Sequence, residues 1–160
     1  MPGFDYQTIT DLITCPKRIV EPPKKTMTLK NRSFRNDMKL VSFDEEKSFY
    51  VFMRISEDFP DDFSIGLIYS SPEGKIFLLF RCNGPHGECV SDFLEGETHF
   101  GYHEHMLVAG SNSMNASITD AYGTYQDAVV HFMGKCHIKD AESYFPFLKD
   151  SNRIQYELGI

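Results

Sequence analysis

Four of the chain's six histidines, His86, His99, His103 and His105, fall between residues 86 and 105. They sit in two short stretches, Asn83-Gly-Pro-His-Gly-Glu-Cys89 and His99-Phe-Gly-Tyr-His-Glu-His105. Imidazole changes charge near neutral pH and, when neutral, is the commonest metal ligand, so this crowding points to proton transfer or to metal binding. If 99–108 is a strand, alternation places His99, Gly101, His103 and His105 on one face and Phe100, Tyr102, Glu104 and Met106 on the other. The Cα atoms of His103 and His105 then stand about 6.5–7 Å apart, close enough for both rings to converge on one ion or one phosphate. On the preceding strand Phe77, Leu79, Arg81 and Asn83 share a face by the same count, which makes Arg81 a candidate anion clamp.

Three readings of these residues are open. In the first, His103 and His105 join His86, with His99, Cys89 or a carboxylate nearby, to hold a divalent metal such as zinc. A metal-bound water would then carry out hydrolysis. The spacing His86-x2-Cys89-x9-His99-x3-His103-x-His105 matches no standard finger or ribbon. In the second, the catalytic set is His86, His103, His105 and Arg81. The imidazoles serve as general acid and base in phosphodiester (RNA) cleavage, and Arg81 stabilises the charged transition state. In the third, His86 caps a turn while His103 and His105 are solvent-facing and satisfy backbone groups, and the chain is a non-enzymatic interaction or regulatory module. The Asn83-Gly-Pro-His-Gly87 loop offers backbone amides that could cradle an anion, but it matches neither the Walker A pattern nor the dinucleotide fingerprint and reads more simply as a tight turn.

Hydrophobic periodicity supplies the frame for these residues. Tyr6, Ile9, Leu12 and Ile13 make one face of a helix over 4–14, with Asp5 as its cap and Pro16 as its stop. Pro22-Pro23 forces an extended linker. Short strands are expected at Thr26–Leu29 and Met38–Phe43 around a polar turn at Asn31–Asp37. Ser48–Ile55 and Phe63–Ser70 alternate with a period of two, and Ser71-Pro-Glu-Gly74 suits a hairpin. Lys75–Cys82 is apolar almost throughout, as in a central strand covered on both faces. His99–Val108, Met114–Thr119, Cys136–Ile138 and Arg153–Leu158 complete the strand candidates. A second helix spans 124–134, capped by Thr124, with Tyr125, Ala128, Val129 and Phe132 as its apolar stripe. The whole reads as a single α+β domain over residues 1–160, an antiparallel sheet of about 5–7 strands with two helices packed on it. Within it, residues 1–35 carry a helix and a basic extended segment, and 36–160 the sheet core.

At 160 residues, 41% hydrophobic and rich in Phe (14) and Tyr (8), the chain has ample material for one core. It holds no apolar run near the ~20 residues of a membrane span, and its start lacks the basic and apolar regions of a secretory signal, so a cytoplasmic location is expected. The four dispersed cysteines form no Cys-x-x-Cys and are expected to be reduced. Charge is uneven. Residues 17–39 hold eight basic and two acidic side chains, so this segment carries +6 and the remainder −13 against a total of −7. Such a strip on an acidic body is the pattern of a local nucleic-acid contact through residues 17–39, or of a solvated edge segment paired with the body. Unpaired sheet edges make a homodimer a further expectation.

Between Lys75 and about Ile138 the motifs Leu78-Leu-Phe-Arg81, Asn83-Gly-Pro-His86, His103-Glu-His105 and Phe132-Met-Gly-Lys-Cys136-His-Ile138 follow one another. In that order they resemble a family of small uncharacterised prokaryotic and phage-associated proteins. There an apolar strand ends in Arg, followed by a Gly-Pro-His turn, a His-x-His strand, and a helix ending in Phe before a Cys-x-Ile strand. The resemblance covers about 65 of the 160 residues. Where the family carries Asn-Pro-Asp-Gly and a Trp, this chain has Gly87-Glu-Cys89 and no Trp. The resemblance implies a fold and a candidate site without naming a reaction. The reading that rivals an enzyme is a non-enzymatic interaction module, a regulator or inhibitor carried on a phage or mobile element, that uses the basic strip or the acidic body.

Overall fold

The Asp5 carboxylate accepts a hydrogen bond from the Thr8 amide at 2.7 Å and starts helix α1 (Tyr6–Thr14), which buries Ile9, Leu12 and Ile13. Pro16 ends it, and the chain turns at once into a sheet. The computed structural model describes residues 3–85 and 101–148. Among them the strands are β1 (Lys17–Glu21), β2 (Thr28–Lys30), β3 (Ser33–Ser42), β4 (Ser48–Ser56), β5 (Phe63–Ser70), β6 (Ile76–Asn83), β7 (His103–Leu107), β8 (Met114–Ile118) and β9 (Ile138–Lys139). Helix α2 (Tyr125–Lys135) lies between β8 and β9. The sheet order is β8-β7-β6-β5-β4-β3-β1-β9, with β2 also on β3; every pairing is antiparallel except β1 with β9.

This is the expected α+β domain, with nine strands among the described residues where about 5–7 were expected. The surplus is in short strands. Lys17–Glu21, too charged to read as a strand, pairs with Lys39–Ser42 of β3 and, in parallel, with β9. The polar turn expected at Asn31–Asp37 shrinks to Asn31 and Arg32, both at positive φ (51° and 63°), a two-residue hairpin turn of the kind that matches strand twist. Ser33–Asp37 instead extends β3, held by the register Ser33↔Ser56 to Asp37↔Phe52. Arg153–Leu158 lies outside the described residues.

Both helices cover one face of the sheet, called here the inner face. Leu40, Phe49, Val51, Leu67 and Phe80 are each 2% exposed or less there, against Ile9 and Ile13 of α1 and Ala128, Val129 and Phe132 of α2. Burying such a side chain contributes ~1.5–3 kcal/mol, so this face supplies most of the stability. Thr124 caps α2 as expected, accepting from the Asp127 amide at 3.0 Å.

Lys17 sits where the two helix ends meet and is fully buried. Its Nζ donates to the carbonyls of Ile13 (2.6 Å), Cys15 (2.9 Å) and Cys136 (2.9 Å) and lies 4.7 Å from the centre of the Phe49 ring. It therefore neutralises the negative C-terminal ends of both helices. Burial lowers its pKa from the ordinary lysine value. Two glycines are required by close approach. A Cβ on Gly66 would fall 2.2 Å from the Phe52 ring, and one on Gly84 would fall 1.7 Å from the Asp61 carbonyl oxygen. Among the described residues no helix is long and apolar enough to cross a membrane.

Candidate functional site

The antiparallel pairing of β6 with β7 sets Arg81 opposite His105, Cys82 opposite Glu104, and Asn83 opposite His103. Strand parity sends Arg81, Asn83, His103 and His105 to the outer face, away from the helices, and Cys82 and Glu104 to the inner one. The sequence expectation that Arg81, His103 and His105 share a face therefore holds in the register. The two imidazole rings are 5.0 Å apart between centroids and inclined at 67°. Tyr102 is on the inner side, as parity required, with its ring 6.2 Å from Phe63 and 5.8 Å from Tyr122. His86 lies outside the described residues, as do Cys89 and His99.

The rings are not in an open hollow: His103 is 0% exposed and His105 1%. His103 Nδ1 is 3.0 Å from the Gly101 carbonyl, which can only accept, so Nδ1 carries the hydrogen and Nε2 is the basic nitrogen of the neutral ring. Asn83, 4% exposed, donates from Nδ2 to Ser64 Oγ at 3.0 Å. Arg54 Nη2 reaches the same Ser64 Oγ at 3.4 Å and Asp62 Oδ1 at 2.9 Å.

These contacts belong to one transverse line of the sheet. Arg35 pairs with Arg54, Arg54 with Ser64, Ser64 with Asn83 and Asn83 with His103. Across four strand spacings of ~4.8 Å, the line covers about 19 Å. The adjacent line runs Phe52, Gly66, Arg81, His105, and the bare Gly66 is what lets the Phe52 ring lie across it.

The inner face of the same strand pair holds a group that the sequence reading passed over. Ligand atoms of Cys82, Glu104 and His131 all lie within 4.8 Å of one another. Cys82 is fully buried, while the Glu104 and His131 side chains are 19% and 27% exposed and hydrogen-bonded through Glu104 Oε1 and His131 Nε2. Burial first, and then the Glu104 carboxylate, push the Cys82 thiol well above its ordinary pKa, so it is a poor nucleophile as it stands. Parity alone paired Cys82 and Glu104 on one side. His131 was a weaker signal, three residues beyond Ala128 on the flank of the α2 apolar stripe.

Tyr122 ties both faces together. Its buried hydroxyl accepts from the Asn83 amide (3.0 Å) and faces the carbonyls of Asn83 (3.0 Å) and His103 (2.6 Å) as donor. It holds the two backbones where β6 and β7 part. Burial raises its pKa far above the ordinary phenol value.

The basic segment divides in the structure. Lys17 is buried and unavailable to a partner. Arg18, Arg32 and Lys39 carry acidic partners in Glu45, Asp58 and Glu21. Lys24, Lys25, Lys30 and Arg35, around the β2–β3 hairpin, are exposed and have no acidic partner among the described residues. Comparison of the chain with known proteins finds no matching family model, no matching curated protein and no matching solved structure.

Proposed function

We propose that the chain binds RNA across the outer face of its sheet and cleaves phosphodiester bonds at the His103–His105 end. The observation that carries this reading is the single line Arg35, Arg54, Ser64, Asn83, His103, which leads from the exposed cations of the β2–β3 hairpin to the imidazole pair. Cations spaced along a line suit a phosphate backbone, and Phe52 beside them offers a stacking face for a base. His103, with Nε2 as its basic nitrogen, and His105 act as base and acid, and Arg81 opposite His105 stabilises charge on the phosphate. In a site removed from bulk water such a guanidinium contact is stronger than at the surface.

The burial of both rings favours a second reading, a non-enzymatic module that captures RNA without cleaving it. One experiment separates the two. A labelled single-stranded RNA of mixed sequence is titrated with the chain at several salt concentrations and the products are resolved by length. Salt-dependent binding with cleavage that disappears in His103→Gln/His105→Gln supports the enzyme. Binding without cleavage supports the module, and neither binding nor cleavage overturns both.

A further inference from the structure

We infer that Cys82, Glu104 and His131 form a binding site for a zinc-like divalent transition metal, on the face of β6–β7 opposite the RNA line and independent of that reading. The three donors come from three elements, β6, β7 and α2, and are brought together by the Cys82↔Glu104 register and by the packing of α2 on the inner face. With metal–ligand bonds of 2.0–2.3 Å, donor atoms in a tetrahedral site stand about 3.3–3.8 Å apart. Separations of up to 4.8 Å thus need a contraction of at most about 1–1.5 Å, with the hydrogen-bonded Glu104–His131 pair opening slightly, adjustments that rotation about the side-chain bonds would supply.

The donor chemistry selects the ion. A thiolate and an imidazole favour zinc and its neighbours over magnesium or calcium, which prefer oxygen cages. Thiolate and carboxylate each bring one negative charge and neutral imidazole none, so a dication is matched and the half-buried site ends uncharged. On binding, the metal displaces the Cys82 thiol proton to solvent and the hydrogen of His131 Nε2, which moves through solvent to Nδ1 so that the ring stays neutral, and it takes the position between Nε2 and Glu104 Oε1 that the hydrogen bond now occupies. The fourth position faces outward on the side where Glu104 and His131 are partly exposed. Glu104 also borders a groove of about 260 Å³ lined by Tyr6, Met106, Asn115 and Ser117, a path for water or a small ligand to that position.

Bound metal would fasten α2 to the β6–β7 pair, whose other face carries His103 and His105 on either side of Glu104 in sequence. The role expected is therefore structural support of that strand pair. The test uses the full chain stripped with a chelator and titrated with Co²⁺ alone, read by the thiolate-to-cobalt charge-transfer absorption and the strong visible bands of tetrahedral cobalt. Stoichiometric bands that Zn²⁺ abolishes and Mg²⁺ does not are expected, with loss in Cys82→Ser and at least tenfold weaker binding in His131→Gln. No tetrahedral signal in the wild type overturns the proposal. So do bands unchanged in both variants, because they would place the metal on other cysteines and histidines of the chain. His131 is on the partly exposed flank of α2, so His131→Gln decides the matter if Cys82→Ser does not fold, with far-ultraviolet circular dichroism as the check.

Discussion

Two places in this molecule bury groups capable of carrying positive charge, and they use them in opposite ways. At the helix junction, each of the three donors of Lys17 is matched to a backbone carbonyl, from Ile13, Cys15 and Cys136. That residue is consumed by the fold. From β4 to β7, by contrast, side chains also meet other side chains: Arg54 and Asn83 at Ser64, the His103 ring, whose Nδ1 bonds the Gly101 carbonyl, at the His105 ring, and Glu104 at His131. Burial by itself therefore does not mark function. A buried polar group that answers only main-chain carbonyls is architecture, whereas a run of polar side chains answering one another across strands is material for chemistry.

The largest effect expected from breaking this contrast is on the strand pair. If the strand pair cleaves RNA as proposed, His103→Gln/His105→Gln should lower that cleavage by about 10²–10⁴-fold, the usual span for removing acid–base groups, with little change in RNA affinity. Single-turnover cleavage on a labelled RNA measures it, and unchanged rates in a folded variant would remove these residues from the chemistry. Lys17→Met is the mirror experiment. It strands two buried carbonyls and one partly buried, and at about 1–3 kcal/mol for each buried group, softened by local relaxation, a loss of roughly 3 kcal/mol in unfolding free energy is expected. Urea denaturation reads this loss, and RNA cleavage by the folded fraction should remain at the wild-type level.

Tyr122→Phe sharpens the comparison, because this hydroxyl does main-chain work beside the proposed RNA-cleaving site. Removing it leaves the Asn83 amide and the Asn83 and His103 carbonyls without their shared partner, and should cost about 1–3 kcal/mol. Unlike Lys17→Met, it should also depress cleavage, since it frees the ends of β6 and β7 that carry the imidazoles and Cys82. A variant that loses stability with full activity would show that the strand ends need no such clasp.

How much of this was legible in the residues follows the same division. Local rules found α1 and α2, their caps at Asp5 and Thr124, and the shared face of Arg81, His103 and His105, because helix periodicity, capping and strand alternation depend only on near neighbours. β1 was missed because Lys17–Glu21 becomes a strand through partners that are far away in the chain, Lys39–Ser42 and Ile138–Lys139. The burial of Lys17 was illegible for the same reason: one of its three carbonyls is 119 residues distant. The Cys82–Glu104–His131 group needed both the β6–β7 register and the orientation of α2 above it, and no single window of sequence holds the two. In the basic strip, composition gave the net charge but could not tell the ion-paired Arg18, Arg32 and Lys39 from the exposed Lys24, Lys25, Lys30 and Arg35.

That last distinction yields a smaller effect. Lys30→Ala/Arg35→Ala should leave stability within about 0.5 kcal/mol, because both side chains are exposed and away from any cap or core contact. RNA binding should weaken, and the slope of log affinity against log salt should flatten by about 0.7 for each lost phosphate contact to single-stranded nucleic acid. Arg18→Ala, whose cation is already paired with Glu45, should flatten it less. Equal effects from the two variants would mean that net charge, not the hairpin's position at the head of the line, attracts the RNA.

The subtlest difference expected lies in pH. Burial lowers the pKa of Lys17 in the folded chain, while in the unfolded chain it keeps its ordinary value. Between those two values the unfolded state holds a proton that the folded state has released, so Lys17 makes folding more favourable as pH rises through that window. Other groups act in the opposite sense: the Cys136 thiol, pushed up to about 12 by burial, and the Tyr122 phenol both bind protons more firmly in the folded chain. Wild-type stability alone cannot isolate Lys17, but its difference from Lys17→Met cancels the phenol and leaves from the Cys136 thiol only the part by which the Lys17 charge lowers its pKa, which acts in the same direction. The stability advantage of the wild type should therefore widen as pH is raised toward the ordinary lysine value of 10.5 in parallel urea titrations. An advantage that narrows would mean that the three carbonyls stabilise the ammonium by more than burial costs it, and that Lys17 works as a stronger helix-end counter-charge than its surroundings suggest.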